Sequence, residues 1–194
     1  MSVDTQLERY EARGRSLSQI WLGVLWGLAE ATVFFIIPDV LITASALFSP
    51  KKSFAQMIAV LIGALLGGAL LYTAADKYPD EAKSVVLSVP FVRLHTLEEA
   101  DHQLQDGGLL AMCVGSFTGV PYKTYAVNGP RHAPFEIFMA MSVPARLFRF
   151  LLSWGVFSAL GMLLRRQIQA SPMVTLGLLA LCWIGFYTYY WSVV

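Results

Sequence analysis

Apolar positions along this chain run on far past what a half-buried helix or strand needs, and polar residues are confined to short clusters between the runs. Ile20 to Phe48 is apolar for about 29 residues, more than the roughly 20 that carry a tilted helix across a bilayer. Glu30, Pro38 and Asp39 interrupt it. A proline in mid-run removes a backbone donor and breaks the helix, so residues 20–48 are expected to fold back near Ile37 to Asp39 as a re-entrant hairpin. Each arm would be about 10 to 16 residues, the length associated with such segments. Residues 53–75 carry no charge until Asp76 and form the clearest span; Gly63 and Gly67 have the spacing that lets two helix backbones approach, and Gly23 and Gly27 repeat it. Residues 76–106 are a polar link with an apolar stripe, expected to lie as an amphipathic segment at an interface and to break at Pro90. Residues 107–131 form a second apolar run broken by Gly119, Pro121, Gly129 and Pro130, and read as a second re-entrant hairpin. Residues 133–164 predict one helix about 48 Å long at 1.5 Å per residue, kinked at Pro144. Residues 173–194 predict a last span, ending in Tyr187, Tyr189, Tyr190 and Trp191 as an aromatic belt.

Composition agrees with that pattern. Of 194 residues 56% are hydrophobic and 14% charged, well under the roughly 25% charged residues of soluble domains, and the mean hydropathy is +0.58. The expected class is an all-α polytopic membrane protein with two re-entrant hairpins, about three spanning helices and an interfacial amphipathic helix. A net charge of +1 offers nothing to nucleic acid, so the placement of charge matters more than its sum. Residues 1–19, with Arg9, Arg13 and Arg15, read as a cytoplasmic tail and not as a cleaved signal. If residues 20–48 fold back, Lys51 and Lys52 rejoin those arginines, and Arg165 and Arg166 join them after the long helix. The positive-inside rule then places the N-terminus in the cytoplasm of a multi-pass protein of the bacterial inner membrane. Cys113 and Cys182 lie in apolar sequence without metal-ligand spacing, and His95 and His102 have none either, so no metal or other cofactor is expected.

Five ionisable residues fall at membrane depth: Glu30, Asp39, Lys123, Arg146 and Arg149. Such residues are costly there and commonly pair in a bundle interior or line a substrate path. Three cations against two acids favour a substrate that brings negative charge. Arg146 and Arg149, three apart, share a helix face, and their planar forks suit phosphate oxygens. Lys123, Tyr122 and Asn128, in the stretch Gly115 to Pro130, would add polar contacts to the same binding site, with Pro38, Gly119, Pro121 and Gly129 shaping its loops. Glu30 and Asp39, beside cations, are candidates for proton coupling, although such pairs can also serve only to neutralise charge and set helix register. Two broken segments in corresponding positions have the layout of an inverted-repeat transporter.

The residues GALLGGALLYTAADKY (Gly63 to Tyr78), GGLLAMCVGSFTGVPYKTYAVNGP and the helix of Arg146 and Arg149 resemble the DedA family, also called the SNARE-associated or VTT-domain family, in a short divergent branch. Glu30 with Pro38 and Asp39 is similar to that family's acidic, proline-containing first loop. The resemblance implies two re-entrant hairpins meeting from opposite faces and translocation of a lipid, undecaprenyl phosphate or a phospholipid. Lys123 stands where the family commonly has an arginine, Asp39 where it often has glutamate, and Thr118, Gly119 and Val120 precede Pro121 without an arginine. The functional expectation is a transporter or flippase for a phosphate-bearing or otherwise anionic lipid, open to proton coupling and to homo-oligomer formation. A membrane scaffold without transport is the alternative. A lipid-phosphate enzyme is disfavoured because no histidine is placed to activate Ser116.

Overall fold

The computed structural model describes residues 3–193, with side chains described for all but residues 3–16, 116, 191 and 193. The side chains of Arg9, Arg13, Arg15, Ser116 and Trp191, invoked above, therefore lie outside the described residues. Among the described residues the fold is all-helical. Ten α-helices follow in order: α1 (Val3–Thr32), α2 (Asp39–Phe48), α3 (Pro50–Lys77), α4 (Pro79–Leu87), α5 (Leu94–Gly107), α6 (Ala111–Thr118), α7 (Tyr122–Asn128), α8 (Phe135–Leu163), α9 (Arg165–Ala170) and α10 (Pro172–Val193). Two of them, α3 and residues 172–190 of α10, are long and apolar enough to cross a membrane. The N-terminal residues expected as a tail are helical from Val3 and continuous with the first apolar run.

Helices α1 and α3 run parallel with their backbones in contact. Gln19 lies beside Gln56, Val24 beside Gly63, and Leu28 and Ala31 beside Gly67. A Cβ on Gly63 would strike the Val24 carbonyl, and one on Gly27 the Val60 carbonyl, so these glycines set the interhelical distance. Because α1 and α3 point the same way, the intervening chain has to reverse twice. It leaves α1 at Thr32, turns through residues 33–38, returns as α2 and turns again at Ser49. Pro38 caps α2 with helical angles, and the Asp39 carboxylate sits in the first turn, where the positive end of the helix dipole favours it. Helix α8 runs antiparallel to α3: Phe138 packs on Tyr72, Trp154 Nε1 donates to the Pro50 carbonyl at 3.1 Å, and Gly161 abuts Leu47. Lys51, Lys52, Arg165 and Arg166 consequently share one end of the bundle.

The second broken segment enters from the other end. Helix α6 stops at Gly119, whose φ of +92° is left-handed and suits glycine. Pro121 then starts α7, which leads back to Gly129, wedged between Tyr72 and Phe138. The polar link differs from expectation. It makes two helices, and its apolar stripe (Ala82, Val86, Leu97, Ala100, Leu104) is buried in one core with Tyr125 and Ala126 of α7, not laid on a surface. Proteinaceous partners of matching shape offer that stripe closer packing than an interface would. A break does fall at Pro90, where Phe91 takes φ +69°, unusual for a bulky residue.

Candidate functional site

The two turns meet in the middle of the bundle. Lys123 Nζ, at the start of α7, donates to the Phe34 carbonyl in the first turn at 2.7 Å. That bond ties the tip of one folded-back segment to the tip of the other. It also supplies an acceptor for the ammonium of a buried lysine, and a donor for a carbonyl freed by the end of α1.

Helix α8 supplies the cations on one face. Arg146 is wholly buried and forms a hydrogen-bonded ion pair with Glu30 of α1. Its guanidinium lies 4.3 Å from the centroid of the Tyr122 ring, and the Tyr122 hydroxyl donates to Ser142 Oγ at 2.8 Å. One turn on, Arg149 Nη2 approaches Asp39 Oδ2 at 2.9 Å without hydrogen-bond alignment. Asp39 instead accepts a hydrogen bond on Oδ1 from Ser153 at 2.6 Å. The two arginines are thus differently committed: Arg146 bonds Glu30 and stacks on Tyr122, with its Nε left without an acceptor, whereas both Nε and Nη2 of Arg149 are buried without one.

A cavity of about 440 Å³ opens between the two turns, α8 and α10. Glu30, Asp39, Thr118, Tyr122, Lys123, Arg149 and Ser153, with Tyr187, Tyr189 and Tyr190 of α10, supply its polar groups, and the rest is mainly apolar and aromatic, including Phe35, Phe91, Phe117, Trp183 and Phe186. Gly119 and Pro121 line it too, so the residues that break the second segment also shape the wall. Such a mostly apolar hollow with a few convergent polar groups is the usual form of a small-ligand site. The strained Phe91 projects into it and touches Phe35 at 5.9 Å between ring centroids.

Of the other residues singled out from the chain, Arg146 lies behind this lining, and Pro38 and Gly129 are buried in the packing around the turns. Asn128 is at the far end of α7, where its amide donates to the Leu97 carbonyl at 2.8 Å and fastens α7 to α5. His132 bonds Asp101 at 2.8 Å, away from the cavity.

Sequence reasoning missed Ser153 and the whole contribution of α10. Two of the aromatic residues expected as an interfacial belt are turned inward, while Tyr189 is exposed: the Ile37 N–H donates to Tyr187 Oη at 2.8 Å, and the Tyr190 hydroxyl donates to the Gly119 carbonyl at 2.7 Å. Trp183 Nε1 donates to Thr43 Oγ1 at 3.1 Å. The breaks in both segments leave backbone groups that lack helical partners, and these phenols satisfy two of them. A signal was available, since four aromatics in five residues exceed what one interface anchor needs.

The comparisons with known proteins add little to this geometry. No family model matches the chain, and no solved structure matches it. An uncharacterized protein of Haemophilus influenzae is 27% identical over 145 residues, covering 70% of this chain and 72% of that protein.

Proposed function

We propose that this chain is a polytopic membrane protein of the DedA type, that its two broken segments are re-entrant hairpins, and that it moves an anionic, phosphate-bearing lipid through the central cavity. The observation that carries the reading is the pair of cations in the cavity lining. Arg149 keeps two buried donors without acceptors, and Lys123 has a backbone carbonyl but no carboxylate in ion-pair contact among the described residues. A buried charged donor left unmatched is expensive, and a phosphate oxygen would match it with charge-assisted hydrogen bonds. The surrounding aromatic wall suits the first carbons of a lipid tail. Arg146 would act at one remove: locked to Glu30 and stacked on Tyr122, it holds Tyr122 and the start of α7 in place. Glu30 faces Arg146 and Asp39 faces Arg149, and arrival of a phosphate would compete with these carboxylates for the same cations. That competition is the basis on which a proton could be taken up as the substrate binds.

The test is translocation in vesicles holding a trace of fluorescent phosphatidylglycerol, followed by the fraction of label that an impermeant quencher reaches. Transfer above that of protein-free vesicles is expected, with loss in Lys123→Ala and Arg149→Ala and competition by other phosphate-bearing lipids but not by inorganic phosphate. No transfer of any anionic lipid by the parent protein would sink the reading. It would favour a scaffold role, for which the closed Glu30–Arg146 pair speaks, because a charge pair sealed off from the cavity serves packing register equally well.

A further inference from the structure

Helix α10 is attached to the rest of the molecule in an unusual way. Apart from a few neighbours on α2 and α9 it is largely exposed, with Met173, Val174, Leu178, Leu181, Ile184 and Tyr189 all more than half accessible. Its ring-bearing face nevertheless forms one wall of the central cavity. Three polar contacts connect that face to the two broken segments: Trp183 to Thr43, Tyr187 to the Ile37 N–H, and Tyr190 to the Gly119 carbonyl. The lack of a side chain at Gly119, whose φ is +92°, also lets the Tyr190 ring approach closely, since a Cβ there would lie 3.0 Å from it. Short α9 and the non-helical Ser171, with ψ of 67°, join α10 to α8. The helix is therefore hinged at one end, held at the other by phenol hydroxyls, and bare of interdigitating core in between.

We propose that α10 is a lateral gate of the cavity, latched by Tyr187 on the first turn and Tyr190 on the second. The proposal rests on the membrane reading above, which puts hydrocarbon around α10, but not on which ligand the cavity takes. In the closed state both hydroxyls bond backbone groups at the helix breaks. On opening, the Ile37 N–H and the Gly119 carbonyl are released to face the cavity, and a lipid-sized molecule has a side door between α10 and the turns. Packing offers little resistance to this motion, because the apolar outer face of α10 meets the same hydrocarbon surroundings whether the gate is shut or open. The latch bonds therefore decide how long the gate stays closed.

The experiment measures cavity access by thiol labelling of the full-length protein in vesicles. Cys182→Ser removes the cysteine on α10, and Val120→Cys places a probe in the cavity lining; Cys113, half-buried and packed against the core, remains as an internal reference. The probe is N-ethylmaleimide, with each site read by peptide mass spectrometry. Tyr187→Phe and Tyr190→Phe keep the rings and remove the hydroxyls that form the latch bonds, so each should speed labelling at position 120 about fivefold if a net hydrogen bond sets the opening equilibrium. The double variant should exceed either single one, and Thr188→Val, which removes an exposed hydroxyl bonded to the Ile184 carbonyl of α10 itself, should leave the rate alone. Cys113 should label at the parent rate throughout. Unchanged labelling at position 120 in the double variant would overturn the gate, and so would a parallel rise at Cys113, which would mean general loosening. Faster labelling without any lipid transfer would keep the gate and refute only the transport reading.

Discussion

Arg146→Ala should cost far more stability than Arg149→Ala, although the two residues are neighbours on one face of α8 and each contacts a carboxylate. The Arg146 and Glu30 side chains are only 1% and 5% exposed. Removing the arginine strands a buried carboxylate, which costs about 3–5 kcal/mol. The upper end is expected because the stacking over Tyr122 at 4.3 Å is lost as well, a contact worth about 2 kcal/mol when desolvated. Arg149 is 17% exposed. After its loss Asp39 still accepts from Ser153 and still sits in the first turn of α2, so the cost should be about 1–2 kcal/mol. Replacing both members of the inner pair, Glu30→Gln with Arg146→Met, removes both charges while keeping volume and should recover most of the loss. The double-mutant cycle should then return a coupling of about 3 kcal/mol. The assay is equilibrium unfolding of the purified protein in mixed micelles titrated with sodium dodecyl sulfate, read by far-ultraviolet circular dichroism. Equal destabilisation by Arg146→Ala and Arg149→Ala would refute the reasoning, and so would a double variant as unstable as the sum of its singles.

The remaining predictions use the same reading of the structure. Gly63→Ala should cost at least about 2 kcal/mol by forcing α1 and α3 apart, while Gly177→Ala, which meets nothing within 4 Å, should be near neutral in the same unfolding assay. Lys123→Arg should keep part of the transport that Lys123→Ala abolishes, since the charge survives and only the compact ammonium geometry is lost; equal loss in both would show that the lysine–Phe34 bond, not its charge, is what matters. Single cysteines at Ser18 and Ser49 should react with an impermeant thiol reagent from one side of the membrane and one at Ser84 from the other, and opposite sides for Ser18 and Ser49 would disprove the fold-back of residues 20–48. Collapsing the proton gradient should slow transfer in vesicles if Glu30 or Asp39 carries a proton, and an unaffected rate would remove coupling.

What could be read from the chain was whatever is decided within a few residues. Pro38, Gly119 and Pro121 stand at helix ends, where a missing donor and a left-handed φ are local facts, although Pro144 lies inside the continuous α8. The glycine spacing of α1 and α3 and the membrane-grade composition are local in the same sense. The list of five ionisable residues was legible too, since their cost depends on apolar surroundings that the sequence displays.

Their roles were not legible, because partners 89 to 116 positions apart are chosen by packing. Only the tertiary structure decides that Glu30 takes Arg146 and Asp39 takes Ser153 and Arg149. Only it separates an arginine hydrogen-bonded to its carboxylate behind the cavity from one lining the cavity without a hydrogen bond to its own, and removes Asn128 to a seam with α5. The same holds for α10. Its aromatic residues fit a bilayer interface as well as a protein interior by composition, and what turns Tyr187 and Tyr190 inward is the unpaired backbone of two helix breaks far away in the chain. A sequence pattern records how apolar a position is and how the backbone bends there; which buried polar group answers which is settled when the helices are brought together.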